Sequence, residues 1–198
     1  MAPRLFLAST SRYRALLLER FGLPFSTESP GVDESPEDGE EPAARALRLA
    51  RAKAAAVLAR HPNGWVIGSD QVAVAARRVL DKPGDAVRCR EQLRASSGRS
   101  VTFHTAVALL GPEPETMREH VDRTVVRFRK LTDREIARYV EIEKPFDCAG
   151  GFRSEGLGVA LMRSIKSEDP TALVGLPLIW LATALAAAGL DPLAPDQS

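Results

Sequence analysis

Four polar spots interrupt otherwise apolar or regular stretches of this 198-residue chain, and their residue types could handle a phosphate-bearing ligand. The first is Ser9-Thr10-Ser11-Arg12-Tyr13-Arg14, at a strand-to-helix turn. Backbone N–H groups at a helix start, with hydroxyls and an arginine beside them, make an anion site; simple N-capping accounts for the same residues equally well. The second is Gly68-Ser69-Asp70-Gln71, inside the apolar run Val66 to Val72. A carboxylate there is expensive to bury unless it is paired, hydrogen-bonded or on a metal. Asp70 therefore reads as a general base or metal ligand, with an aspartate satisfied by backbone amides as the plainer alternative.

The third spot is a pair of lysines. The chain uses only five lysines against 22 arginines, so Lys53 in an Ala-rich helix and Lys82 in a turn carry some information. Point cations suit a polyanion. Solvated surface charge is the competing reading, and for Lys53 taken alone it is the stronger one. The fourth spot is Cys148-Ala149-Gly150-Gly151-Phe152-Arg153-Ser154-Glu155-Gly156, where glycines around a charged trio would let backbone approach a ligand, or simply form a loop. Neither a Walker motif nor a GxGxxG occurs, which removes P-loop and Rossmann sites.

The elements that must position these spots alternate between strands and helices. Arg4 to Ala8 reads as a short buried strand, and Arg14 to Phe21 as the helix after it, stopped by Gly22. Pro24 to Glu41 reads as a strand and a long loop. Pro42 opens a helix to about Arg60 with an apolar stripe of Leu47, Ala50, Ala54 and Val57. Trp65 to Val74 reads as a central strand interrupted by its polar trio. Asp85 caps a helix to Ser97, closed by Gly98. Val101 to Leu110 and Arg123 to Phe128 read as neighbouring antiparallel strands, and Thr132 with Glu135 as a capping box. Val159 to Met162 reads as one more strand. The fold class is α/β with a mixed sheet.

Composition limits the partners. Basic and acidic residues nearly cancel, for a net charge of +1, which argues against a broad nucleic-acid-binding face. The two cysteines, Cys89 and Cys148, form no CxxC and read as small buried thiols in a reducing, cytoplasmic setting. The histidines have no zinc-ligand spacing. Ala172 to Leu190 is uncharged over a membrane-spanning length, but Gly175 and Pro177 make a buried C-terminal helix ending near Gly189 the better expectation. The tail, 191–198, is expected to be loose, and the whole chain to form one domain with two lobes.

Six motifs in order, Leu7-Ala8-Ser9-Thr10-Ser11-x-x-Arg14, Val32-Asp33-Glu34, Arg48-Leu49-Ala50-x-x-Lys53-Ala54, Ile67-Gly68-Ser69-Asp70-Gln71-Val72, Lys82-Pro83 and Val174-Gly175-Leu176-Pro177-Leu178, resemble the Maf (septum-formation inhibitor-like) proteins. Gln71 and the Cys148 to Gly156 segment resemble the branch that hydrolyses 7-methyl-GTP; the pyrimidine-nucleotide branch usually has Thr and Gln where Gln71 and Glu155 stand. The resemblance implies a two-lobed fold similar to the inosine triphosphatases, with a central cleft. It also implies a divalent cation, magnesium or manganese, and cleavage of a nucleoside triphosphate to monophosphate and pyrophosphate.

Carried over residue by residue, the resemblance makes Asp70 the proton acceptor for the attacking water. Ser9, Ser11, Arg14, Lys53 and Lys82 become phosphate-holding groups, and Glu34 a metal ligand with Asp70. Tyr13, Gln71 and Glu155 fall at specificity positions. Departures occur too: Arg12-Tyr13 stands where the branch usually has Pro-Trp, Gly151 replaces a serine, and His104-Thr105 replaces Thr-Gly. Asp169-Pro170-Thr171-Ala172 lacks the usual Asn-Thr. These changes touch base preference and leave Asp70, Lys53 and Lys82 intact. A nucleoside triphosphate is the expected partner, with a homodimer left open and no stable nucleic acid or membrane. Rival readings are pyrimidine or other modified nucleotides as substrate, and a nucleotide-binding regulator of cell division with incidental hydrolysis.

Overall fold

A computed structural model describes residues 4–194 of the chain. Its helices and strands are five and seven among the described residues, and the strands form one mixed sheet. In chain order they are β1 (Leu5–Ala8), α1 (Arg12–Leu18), β2 (Phe25–Thr27), α2 (Pro42–Leu58), β3 (Trp65–Ala75), β4 (Arg78–Leu80), α3 (Ala86–Ser96), β5 (Ser100–Leu110), β6 (Arg118–Phe128), α4 (Asp133–Glu143), β7 (Met162–Lys166) and α5 (Leu178–Ala187). The strand order is β2-β1-β3-β5-β6-β7, and β4 pairs with β3. β1 runs parallel to β2 and β3; every other pairing is antiparallel.

β3 organises the molecule. Its first residues, Trp65 to Gly68, pair with β1, and its last, Ala73 to Ala75, pair with β4. β5 runs along its other side throughout. Between the two short partners, Ser69 to Val72 keep β5 on one side and have no strand on the other among the described residues. A gap in the sheet opens there, at the carboxyl end of β1. Two cores flank it. One gathers Phe103, Phe128, Tyr139 and Phe152 under α3 and α4; the other gathers Leu7, Leu17, Leu109, Leu176 and Leu181 under α1 and α5. Each lobe is thus stabilised by its own buried apolar surface, and the long strands β3 and β5 join them.

Local chemistry explains the ends of several elements. Asp85 accepts from the N–H groups of Val87 and Arg88, and Thr132 with Glu135 makes both halves of the capping box that starts α4. Pro42 opens α2, whose Ala46, Leu49, Ala50, Ala54 and Val57 are buried.

Other expectations need correcting. β3 passes straight through Ser69-Asp70-Gln71, because β5 satisfies the backbone there. Val159 to Met162 is not a strand: Leu157–Leu161 is a 3-10 turn, and the edge strand β7 follows it with polar residues on view. β6 starts at Arg118, five residues before the apolar alternation becomes visible. Ala172 to Leu190 is broken, with a 3-10 turn at Ala172–Val174 and α5 only from Leu178, since Pro177 sits at its N-cap. No described helix is long and apolar enough to cross a membrane. Of the tail, residues 195–198 lie outside the described residues.

Candidate active site

A cleft of about 780 Å³ opens at the gap in the sheet, a size suited to a small-molecule ligand. All ten residues singled out from the sequence line it: Ser9, Ser11, Tyr13, Arg14, Glu34, Lys53, Asp70, Gln71, Lys82 and Glu155.

The floor is a charge cluster. Asp70 is 8% exposed, and its Oδ1 accepts from Lys53 Nζ at 2.6 Å. The same ammonium lies 2.7 Å from Glu34 Oε1. Lys53 is only 5% exposed, so the surface-charge reading of this lysine fails. Packing explains its position. A Cβ at Gly68 would lie 2.1 Å from the Ala50 carbonyl oxygen and 2.7 Å from the Ala54 nitrogen. Only glycine lets α2 settle that closely on β3, and the contact brings Lys53 over Asp70, two residues further along the strand. Two carboxylates around one ammonium hold a charge that would otherwise be costly to bury.

The loop between β2 and α2 brings Glu34. Arg45 Nη2 donates to the Glu34 carbonyl at 3.2 Å, and Arg48 donates to the Ser35 carbonyl and to Glu40, so α2 fastens its own preceding loop. Burial pushes the Glu34 carboxyl up, but Lys53, Lys82 and Arg14 together outweigh it and hold its pKa below the ordinary value.

The first turn of α1 supplies Ser9, Ser11 and Arg14. Ser11 occupies the N-cap position yet makes no side-chain cap; the buried Ser9 hydroxyl instead accepts from the Ser11 N–H at 3.1 Å. Arg14 Nε donates to the Gly175 carbonyl at 2.9 Å, and Arg14 Nη1 to Ser9 Oγ at 3.4 Å. Burial lowers the Arg14 pKa, opposed by Asp70 and Glu34. The Gly175 carbonyl also accepts from Ser69 Oγ, the neighbour of Asp70.

That loop is held by a carboxylate the sequence reading did not select. Buried Asp169 accepts from the N–H and hydroxyl of Thr171 and from the Ile179 N–H at the start of α5. Asp169 thus orders this loop although the usual Asn-Thr is lacking. Gln71 is tied to the same loop. Its Nε2 donates to Thr105 Oγ1 and to the Ala172 and Leu173 carbonyls, which leaves Oε1 as the group able to address a ligand. Lys82 is exposed on the opposite rim, after β4.

The mouth is built differently. Tyr13 is half-buried, Glu155 is exposed, and Ser154 Oγ donates to Glu155 Oε2 at 2.8 Å. Arg153 pairs with Glu143 of α4 at 2.7 Å, and Glu143 also accepts from the Leu157 N–H, so α4 pins the segment on both sides of Glu155. Gly150 and Gly151 face Phe103, Leu80 and Cys89 with positive φ; they serve a left-handed turn against the core rather than close approach to a ligand. Cys148 is half-buried at the cleft, not fully buried as expected, and burial with Asp147 pushes its thiol up to about 12. Arg45 and Asp147 also line the cleft and were not singled out, and Arg12 and Arg153 line it too, though the motifs that contain them gave them no role; arginine is too common in this chain to mark the three arginines.

Known proteins resemble this chain over nearly all of its length. A family model described as Maf-like protein matches residues 4–188. A 7-methyl-GTP pyrophosphatase of Xanthomonas oryzae pv. oryzae (strain KACC10331 / KXO85) is 56% identical over 189 residues, covering 96% of this chain and 98% of the relative. One of Bordetella pertussis (strain Tohama I / ATCC BAA-589 / NCTC 13251) is 55% identical over 192 residues, covering 96% and 95%. Among solved structures, a HAM1 protein from Coxiella burnetii superposes with a TM-score of 0.50 at 17% identity, covering 93% of this chain and 99% of the other, a likeness of fold alone. The match spans β1 through α5, both lobes and every wall of the cleft, and the chain belongs to the Maf-like protein family.

Proposed function

We propose that this chain hydrolyses 7-methyl-GTP to 7-methyl-GMP and pyrophosphate, by attack of water on the α-phosphorus. The observation that carries the reading is the cluster at the floor of the cleft, a near-buried carboxylate bonded to a buried lysine with an arginine close by. Relatives more than half identical carry that activity in their names.

The chemistry follows from the groups present. Lys53 engages Asp70 Oδ1, and no hydrogen bond engages Oδ2 among the described residues. Oδ2 is the oxygen that takes the proton of the attacking water. As the new bond to phosphorus forms, the bond to the α–β bridging oxygen breaks, and its electron pair leaves with pyrophosphate. Arg14, Lys53 and Lys82 hold the charge that moves onto the leaving group, and Ser9 and Ser11 address the phosphate oxygens.

A divalent cation fits the donor set. Glu34 and Asp70 already converge on one cationic centre at 2.7 and 2.6 Å, and both are hard oxygen donors. Among the described residues no group of three or more His, Cys, Asp or Glu gathers, in this cleft or outside it, and magnesium is commonly held by one or two carboxylates together with substrate phosphates. When bound between Glu34 and Asp70, the ion would neutralise phosphate charge and acidify water.

At the mouth, Tyr13 offers an aromatic face to the base, and Glu155 offers a carboxylate to the N1–H and N2–H of guanine. The free thiols of Cys89 and Cys148 support a cytoplasmic setting for this activity. The test is a panel of guanine, 7-methylguanine and pyrimidine triphosphates with magnesium or manganese, scored for pyrophosphate release. The expected result is fastest release from 7-methyl-GTP; release from UTP or dTTP alone would overturn the substrate assignment.

A further inference from the structure

The mouth of the cleft holds a cation that the proposed reaction does not use. Arg12 opens α1 and is exposed, yet its guanidinium lies over the Tyr13 ring, 4.8 Å from the centroid. Its Nη2 donates to the phenolic oxygen at 2.8 Å. The charged groups that face it are Asp147, which attracts it, and Arg153, which repels it. Arg153 pairs with Glu143 and also approaches the Tyr13 hydroxyl, but the guanidinium that lies over the ring is that of Arg12. The aromatic face that would attract a cationic base is therefore already engaged by a cation of the same chain.

We propose that Arg12 is a specificity-determining residue that acts against a positively charged base. This rests on the reading above that the mouth takes a guanine ring. N7-methylation makes that ring cationic, so it must either displace the guanidinium from Tyr13 or stack within its field. A neutral guanine meets no such repulsion, and a planar guanidinium stacks well on it. Arg12 narrows the preference for the methylated nucleotide that Tyr13 and Glu155 would otherwise set. At an exposed site such a competition is worth about two- to fivefold in relative affinity.

The test compares the unaltered protein with Arg12→Gln and Arg12→Lys. Two ratios are read: kcat/KM for 7-methyl-GTP over GTP, and affinity for 7-methyl-GMP over GMP by calorimetry, each at low and high salt. Arg12→Gln is expected to raise both ratios about two- to fivefold, and Arg12→Lys to raise them less, since it keeps the charge and loses the stacking. Raising the salt should move the unaltered protein toward the Gln variant, because an exposed charge is screened. Ratios unchanged or lowered in Arg12→Gln, or raised equally in Arg12→Lys, would overturn the proposal. If neither guanine triphosphate is hydrolysed, the substrate assignment fails by itself, and the monophosphate affinities still decide the role of Arg12. Binding of neither monophosphate overturns both.

Discussion

The floor and the mouth of the cleft are built on opposite principles. At the floor, Asp70 and Lys53 come from a central strand and from the helix packed directly on it, both nearly buried and bonded to one another. At the mouth, Arg12 and Glu155 are exposed, and Glu155 comes from a segment of short turns held by α4. The floor cannot lose a member without stranding a partner in low dielectric. The mouth can exchange side chains against water with little effect on the fold. One architecture thus fixes a reaction and leaves the base preference adjustable, in line with the departures from family pattern at Arg12 and Tyr13.

The largest expected effect that would break this contrast is at Asp70. Asp70→Asn keeps size and shape, and it should cut turnover by about 10² to 10⁴-fold while nucleotide binding persists. Pyrophosphate release and calorimetry on the same variant decide it, and a near-normal rate removes Asp70 as the proton acceptor. Next comes Lys53→Met, which leaves two carboxylates facing each other. A loss of about 3–5 kcal/mol in denaturant unfolding is expected, and an unchanged midpoint would mean the floor is not a coupled unit. Gly68→Ala drives a methyl group into the backbone of α2. The expected cost is about 1–3 kcal/mol, with a matching fall in activity as Lys53 shifts away from Asp70.

At the mouth, Glu155→Gln should lower kcat/KM for 7-methyl-GTP by about tenfold, leave UTP unaffected and leave the melting temperature in place. Equal losses on both nucleotides would show that the mouth does not read the base. The smallest effect concerns pH. The Glu34 pKa is held below its ordinary 4.5, so its contribution to stability is fully present above that value and is lost as pH falls through the lower folded value. Calorimetric scans should therefore show a shallower acid-side decline in Glu34→Gln than in the unaltered chain, and parallel declines would contradict the pairing with Lys53.

Asp70 and several helix starts could be read from residue order, because their physics is local, whereas the burial of Lys53 against Asp70 could not. A carboxylate within an apolar β run announces itself, as do Pro42 before an apolar stripe and Thr132 three residues before Glu135. The helix after β1 starts at Arg12 rather than Arg14, and Ser11 stands at its N-cap without capping it. β4 was missed because its hairpin turn, Ala76-Arg77, takes positive φ at both positions without the usual glycine or asparagine. β7 was placed too early because Val159 and Leu161 carry the apolar signal, while the real strand is an edge strand with exposed Arg163, Ile165 and Lys166. The partners that position the site, Glu143 for Arg153 and Asp169 for the start of α5, lie on surface-like stretches. Their burial arises only when the lobes close around them, so no local pattern marks them.

The most direct test of the floor's chemistry is hydrolysis of 7-methyl-GTP in water enriched in heavy oxygen, with the products separated by mass. Water activated beside Asp70 and directed at the α-phosphorus puts the label in 7-methyl-GMP and leaves pyrophosphate unlabelled. Label found in pyrophosphate, or inorganic phosphate as the first product, would place the attack on another phosphorus and contradict the arrangement of Asp70, Lys53 and Arg14 described above.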